Sequence, residues 1–257
     1  MRQKLSVTVI TLDEEANIGD CLRSVAWADE LVVVDAGSED GTLEVCRRLG
    51  ARVYSNPWSG FAAQKNLALS LASHPWVLSL DADERATEEL RDEVQRLLGG
   101  EPPCDGSYIP RRNIFMGKWL RHGDHYPDWQ LRLFRREKGR FLDKPVHESV
   151  EVEGSRGYLE GSLEHLSYRG LKDFLERLNR YSALAAEELY RRGVRPRARH
   201  FLLRPPTRFF RSYVLQRGFL DGAEGLILAA CYSFYVFMRY AKLWELWREH
   251  AAEGPPH

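Results

Sequence analysis

The side chains with chemical reach in this sequence are carboxylates gathered at the ends of apolar runs. The run Trp76-Val77-Leu78-Ser79-Leu80 ends in Asp81-Ala82-Asp83-Glu84. A stretch so short and apolar reads as a strand buried on both faces, as parallel strands under helices are. Three acids at its end do not suit a core. They suit the carboxyl edge of an open α/β sheet, where ligands bind. Two carboxylates one residue apart can approach one divalent cation, or divide a cation and a sugar hydroxyl between them. A hard oxygen site that keeps room for water and phosphate oxygens suits Mg²⁺ or Mn²⁺. The alternative is a solvated loop that opens the next helix, with Asp83 or Thr87 as its N-cap.

The elements that must position these acids follow a regular order. Leu5 to Thr11 is β-branched and strand-like, and Leu12 to Asn17 breaks into polar residues. Ile18, Leu22 and Val25 then recur at helical spacing. Leu31 to Val34 is a second strand, ending in Asp35-Ala36-Gly37-Ser38-Glu39-Asp40-Gly41-Thr42. A helix fits Leu43 to Leu49, a third strand Arg52 to Tyr54, and further helices Gly60 to Ala72 and Thr87 to Leu98. Such alternation predicts βαβ units and a mostly parallel central sheet flanked by helices. The readable strand ends turn polar on one edge, so one site is built there. Gly99-Gly100-Glu101-Pro102-Pro103 marks an internal boundary. Beyond it, Tyr108-Ile109, Gln130 to Phe134, Val146 to Val152 and Tyr158-Leu159 read as short strands of an irregular region. From Leu171 the chain turns helical, with Phe174, Leu175, Leu178, Tyr181, Ala185 and Leu189 as its stripe. The reading is one α/β domain over residues 1–165, in halves 1–100 and 101–165, and a helical C-terminal extension over 166–257.

Composition narrows the classes. The 257 residues carry no net charge, at pI about 7.1, so nothing global points to nucleic acid. Cys21, Cys46, Cys104 and Cys231 are scattered without metal-like spacing, as reduced thiols of a cytosolic protein are. Met1-Arg2-Gln3-Lys4 leads straight into a strand, so no leader is expected. No run reaches the roughly 18 to 20 apolar residues of a spanning helix, and Leu226 to Met238 reads as too short. Arg204, Arg208, Arg211 and Arg217 interleave with Phe209, Phe210, Tyr213, Leu215 and Phe219. That mixture suits the boundary of an anionic bilayer, and the same helices could instead pack on the catalytic domain or form a dimer seam.

Taken as a set, the motifs of the first hundred residues resemble the family 2 glycosyltransferases. Thr11-Leu12-Asp13-Glu14-Glu15 is similar to that family's opening Asn/Asp-Glu motif. Val34 to Thr42 is close to its Val-Asp-Asp-Gly-Ser-x-Asp-Gly-Thr, with Ala36 in place of the second Asp. Gln64-Lys65-Asn66 sits where the family carries Ala-Arg-Asn, and Asp81-Ala82-Asp83 resembles its metal motif. Pro127 to Arg136, Val146-His147-Glu148 and Arg217 to Gly222 resemble the branch that builds lipopolysaccharide core oligosaccharide. The resemblance implies a nucleotide-binding GT-A fold, with residues 1–100 for the donor and 101–165 for the acceptor and catalysis. It implies a metal-dependent inverting transferase using Mg²⁺ or Mn²⁺ and a nucleotide sugar, UDP-glucose first. The acceptor would be a lipid-linked saccharide at the cytoplasmic face of the inner membrane.

It also distributes roles. Asp35 would accept the imide N–H of uracil, or only form the turn before Gly37. Glu14 would take a ribose hydroxyl or complement a helix N-terminus. Lys65 would neutralise a phosphate or stand solvated. Thr11, Asp13, Gly37 and Asp81 complete the donor set; Asp83 would hold the metal, with His147 completing its shell, contacting the diphosphate, or only packing as a lone histidine commonly does. Asp128 is the candidate base that takes the acceptor's proton. In the family that acid is often preceded by Glu, where this chain has Pro127. The alternatives for Asp128 are an acceptor contact or a structural pairing with Arg132 or Arg135. Rival readings are another donor such as an ADP-heptose, another acceptor (polyprenyl phosphate or a protein side chain), a nucleotidyltransferase, or a non-catalytic binding protein.

Overall fold

The computed structural model describes residues 2–142, 149–166 and 170–250. The chain divides into two compact units. The first comprises residues 1–112 and 128–166, the second 113–127 and 167–257.

The first unit is built on apolar strands. β1 (Leu5–Thr11) is buried throughout, as are the inner residues of β2 (Glu30–Asp35) and β4 (Trp76–Asp81). β1 lies between β2 and β4, parallel to both, and β3 (Arg52–Ser55) extends the parallel set beside β2. The connections run through α1 (Glu15–Ser24), α2 (Thr42–Arg48) and α3 (Phe61–Leu71). Past β4 the next two strands run antiparallel. β8 (Asp128–Arg135) runs antiparallel to β4, and β6 (Gly106–Phe115) antiparallel to β8. β5 (Glu84–Ala86) and β12 (Leu163–His165) form an antiparallel pair at the far edge. The sheet is therefore mixed, with one run of four neighbouring parallel strands from β3 to β4. α4 (Glu88–Gly99) follows β5, with Thr87 as N-cap accepting from the Leu90 N–H. Of the two N-caps weighed from sequence, the structure uses Thr87.

Leu5, Val7, Val9, Trp76, Leu78 and Leu80 form the core with Ile18, Leu22 and Leu90. Truncating a fully buried leucine such as Leu78 to Ala costs about 2–5 kcal/mol. β9 (Gly139–Leu142) and β10 (Ser149–Val152) form a hairpin whose Phe141 and Val152 pack with Val77 and Phe134. β11 (Arg156–Tyr158) lies parallel to β6.

In the second unit, β7 (Lys118–Trp119) turns back on the end of β6. Phe115 and Leu120 pack there with Phe174 and Leu178 of α5 (Leu171–Arg191) and Leu228 of α8 (Gly222–Glu249). Two short helices, α6 (Ala198–Leu202) and α7 (Arg204–Phe210), intervene. Residues 113–127 thus fold with the C-terminal helices, whereas their position in sequence places them in the α/β region. The tail expectation needs a correction too. Gly218–Glu249 is long and apolar enough to cross a membrane by length and composition, because the helix does not stop at Arg239 and Lys242. Lys242 Nζ reaches the Asn179 carbonyl (2.6 Å) and Ser182 Oγ (2.8 Å) on α5, so its charge is absorbed within the unit.

Candidate active site

The parallel register sets Thr11 beside Asp35, and Ile10 beside Asp81, at one edge of the sheet. The loops leaving this edge are laced together. The Asp13 N–H donates to Ser38 Oγ (2.9 Å), and the Glu39 N–H to Asp13 Oδ1 (2.9 Å). The Glu14 N–H donates to Thr42 Oγ1 (2.9 Å), while Glu14 Oε2 accepts from Asn17 (2.7 Å). Asp13 adopts φ 52°, which Asp tolerates, and Gly37 adopts φ 107°, which calls for glycine. Asp35 is fully buried, and its Oδ2 accepts from the N–H groups of Gly37 and Ser38 (2.9 Å each) while Oδ1 takes the Ser38 hydroxyl. The turn-forming reading describes these contacts. As folded, both carboxylate oxygens of Asp35 accept bonds from its own loop.

Beside this edge runs a line of alternating charges. Lys65, nearly fully buried on α3, places Nζ 2.8 Å from Asp81 Oδ1. Arg132 of β8 donates to Asp81 Oδ2 (2.5 Å) and to Glu84 Oε1 (2.7 Å). Glu84, 0% exposed, also accepts from the Asp81 N–H (3.0 Å) and from Arg111 (3.4 Å). Arg111 then donates through Nε (2.8 Å) and Nη2 (2.7 Å) to Asp128 Oδ2. Lys65, Asp81, Arg132, Glu84, Arg111 and Asp128 thus alternate in sign along one chain of contacts. Burial raises the Asp81 carboxyl, but Arg132 and Lys65 outweigh it and hold the group well below the usual carboxylate range. Burial likewise opposes the charge on Arg132, and Asp81 and Glu84 together reverse that and raise it.

The neighbours of Lys65 have structural work. Gln64 donates to the carbonyls of Asn56 (2.8 Å) and Pro57 (3.2 Å). Asn66 bonds both the N–H and the carbonyl of Phe141 in β9 (3.0 and 2.8 Å). α3 is thereby fixed at both sides, which is what aims Lys65 at Asp81.

Asp128 begins β8, and β6 places Arg111 directly opposite it. Gln130 donates to its other oxygen (2.7 Å), so the carboxylate is oriented from both ends. Its partner is thus neither arginine weighed from sequence: Arg132 serves Asp81 and Glu84, and Arg135 serves Asp105. Asp83 lies outside the chain of charges. Its Oδ2 stands 3.5 Å from Nε2 of His165, which β12 sets opposite Glu84. His147, paired with Asp83 in the sequence reading, lies outside the described residues.

The sequence reading missed Glu84 as the centre of the network, Arg111, the true partners of Arg132, and His165. Only β8 carried a partial signal, since Asp128, Gln130 and Arg132 alternate there with Trp129, Leu131 and Leu133. At this site the buried Thr11 Oγ1 and Arg132 Nε have no hydrogen-bond partner among the described residues. Such atoms mark unmet bonding capacity. A separate cavity of about 540 Å³, lined by Glu89, Glu93, Arg96 and Arg112, includes no member of the charge chain.

Fold and site define an α/β protein with acids and cations focused at the carboxyl edge of its parallel strands. Residues 6–166 match the family described as Glycosyl transferase family 2, and the chain belongs to that family. It is 34% identical over 260 residues to the lipopolysaccharide core biosynthesis glycosyltransferase LpsC of Rhizobium meliloti, covering 98% of this chain and 95% of that one. An uncharacterized glycosyltransferase of Rickettsia typhi is 28% identical, covering 95% and 88%. The crystal structure of S. aureus TarS 1-349 in complex with UDP-GlcNAc superposes with a TM-score of 0.51 at 18% identity, covering 96% and 92%. That likeness shows the shared GT-A-type fold.

Proposed function

We propose that this chain is an inverting glycosyltransferase that moves glucose from UDP-glucose to a lipid-linked acceptor. The acceptor is an inner-core sugar of lipopolysaccharide at the cytoplasmic face of the inner membrane. The name of the Rhizobium relative supports the acceptor class. The observation that carries the chemistry is the unbroken series of ion pairs from Lys65 to Asp128, which ties the strand end at Asp81 to the start of β8. In this reading Asp128 takes the proton of the acceptor hydroxyl as its oxygen attacks the anomeric carbon. The bond from that carbon to the diphosphate breaks, and the nucleoside diphosphate leaves from the opposite face. Lys65 and Arg132 keep Asp81 ionised and oriented toward the donor. Thr11 and the Asp13–Glu14 loop border the donor site, and Asp35 shapes it by holding the Gly37–Ser38 turn.

Among the described residues, one pair beside the strand end at Asp81 has donors for a divalent cation. Asp83 and His165 offer a carboxylate oxygen and an imidazole nitrogen, compatible with Mg²⁺ or Mn²⁺. No group of three metal-capable side chains occurs among the described residues, so the donor's phosphate oxygens would complete the shell. Mg²⁺ or Mn²⁺ bound there would neutralise charge on the departing diphosphate.

A donor panel (UDP-glucose, UDP-galactose, UDP-GlcNAc, GDP-mannose, ADP-heptose) with released nucleotide as readout tests the reading. UDP release from UDP-glucose alone, dependent on a core-oligosaccharide lipid, is expected. Turnover of only a non-uridine donor would overturn the donor assignment.

A further inference from the structure

From Leu189 to Leu220 the chain carries nine arginines and no aspartate or glutamate. Arg191 and Arg192 are paired with Glu187 and Glu188 at the end of α5. The seven from Arg195 to Arg217 have no carboxylate partner among the described residues, and three of them lie over aromatic rings: Arg195 on Trp247, Arg204 on Tyr240 and Arg208 on Tyr232. Their summed field is felt locally. Burial and then Arg204, Arg199, Arg197 and Arg239 push the His200 imidazole below its ordinary value.

The same segment turns its small residues inward and its large apolar ones outward. Pro205 and Ser212 are buried, and Pro205 is held by a bond from Ser233 of α8 to its carbonyl (2.8 Å). Leu202 (71% exposed), Leu203, Phe210, Leu215 (66%), Phe219 and Leu220 stand in solvent. Arginines of unbalanced charge amid outward leucines and phenylalanines are the composition of an interfacial element, where apolar groups enter the acyl boundary and cations meet headgroup phosphates. A protein partner of ordinary surface would leave these cations uncompensated at a desolvated contact.

We propose that the face formed by residues 195–220 docks on an anionic lipid bilayer, lying in its interface without crossing it. This deepens the reading of a lipid-linked acceptor, yet its test needs neither donor nor acceptor, so failure of one leaves the other standing. The full chain is floated with vesicles of phosphatidylcholine alone or with 30% phosphatidylglycerol. Flotation with the anionic vesicles alone, declining with added salt, is expected. Arg199→Gln with Arg211→Gln should lower the partition about 25-fold, about fivefold for each charge near an anionic surface. Leu202→Ser with Leu215→Ser should abolish flotation at moderate salt. All four side chains are exposed, and an unchanged melting temperature certifies the fold. Equal flotation with neutral vesicles, or no effect of either pair of substitutions, would overturn the proposal. So would a stable dimer in light scattering that the leucine substitutions dissolve while vesicle binding persists.

Discussion

Asp128→Asn separates a base from a structural carboxylate. The amide keeps the volume, its oxygen can meet Arg111, and Gln130 can turn its own amide to accept from the new NH₂. What disappears is the charge behind two N–H bonds of 2.8 and 2.7 Å. Bonds to charged groups contribute about 1.5–3 kcal/mol and neutral ones about 0.5–1.5, so the loss is roughly 1–2 kcal/mol. Arg111 keeps Glu84, which limits the damage. The melting temperature should fall by about 5 °C. Turnover should fall by about a hundred- to ten-thousand-fold, with donor KM little changed, because a base acts only in the transition state. Calorimetry and nucleotide release on one preparation read both quantities. A variant that loses the 5 °C yet turns over within a few-fold of the parent would refute the base assignment and leave Asp128 as an anchor for Arg111.

Three further expectations follow from the same contacts. Glu84→Gln puts an amide NH₂ against either the Asp81 N–H or two guanidinium groups, so it should lower unfolding free energy by about 3–5 kcal/mol; an unshifted urea midpoint would contradict the network. Asp83→Ala and His165→Ala should each weaken Mn²⁺ binding in the presence of UDP, read by calorimetry, and chelator should silence the parent enzyme; full turnover in excess chelator would remove the metal. Glu30 is raised by burial but lowered further by bonds from Ser6, Ser73 and Arg52, to about 2 from 4.5. Its folded value lies below its unfolded one, so its contribution of roughly 3 kcal/mol is present above pH 4.5 and fades as pH falls toward 2. Glu30→Gln should flatten that part of the stability profile.

Sequence made the parallel half readable because its strands are uniform apolar runs bounded by acids, and register alone then brings Thr11, Asp35 and Asp81 to one edge. The pairings were not readable. Arg132 reaches back 51 residues to Asp81 because β8 returns antiparallel beside β4, and Arg111, 17 residues before Asp128, meets it because β6 runs antiparallel to β8. Arg135 looked an equal partner for Asp128 in sequence, but it lies seven positions along the same strand, at the end that pairs with Trp76. Asp35 illustrates the opposite limit. The turn before Gly37 was one of its two readings from residue types, and the Gly37 and Ser38 N–H groups realise it.

The detour of residues 113–127 bears on how this protein can be divided. The peptide crosses from one unit to the other after Arg112, after Pro127 and after Leu166. A chain cut after Leu166 would therefore not liberate a self-sufficient catalytic fragment. It would keep Phe115 and Leu120 while discarding Phe174, Leu178 and Leu228, the side chains that cover them. The orphaned stretch would sit immediately before Asp128, so the missing helices would be felt first at the residue proposed to move the proton. Separating the two units cleanly calls for a short linker from Arg112 to Asp128 in place of the detour.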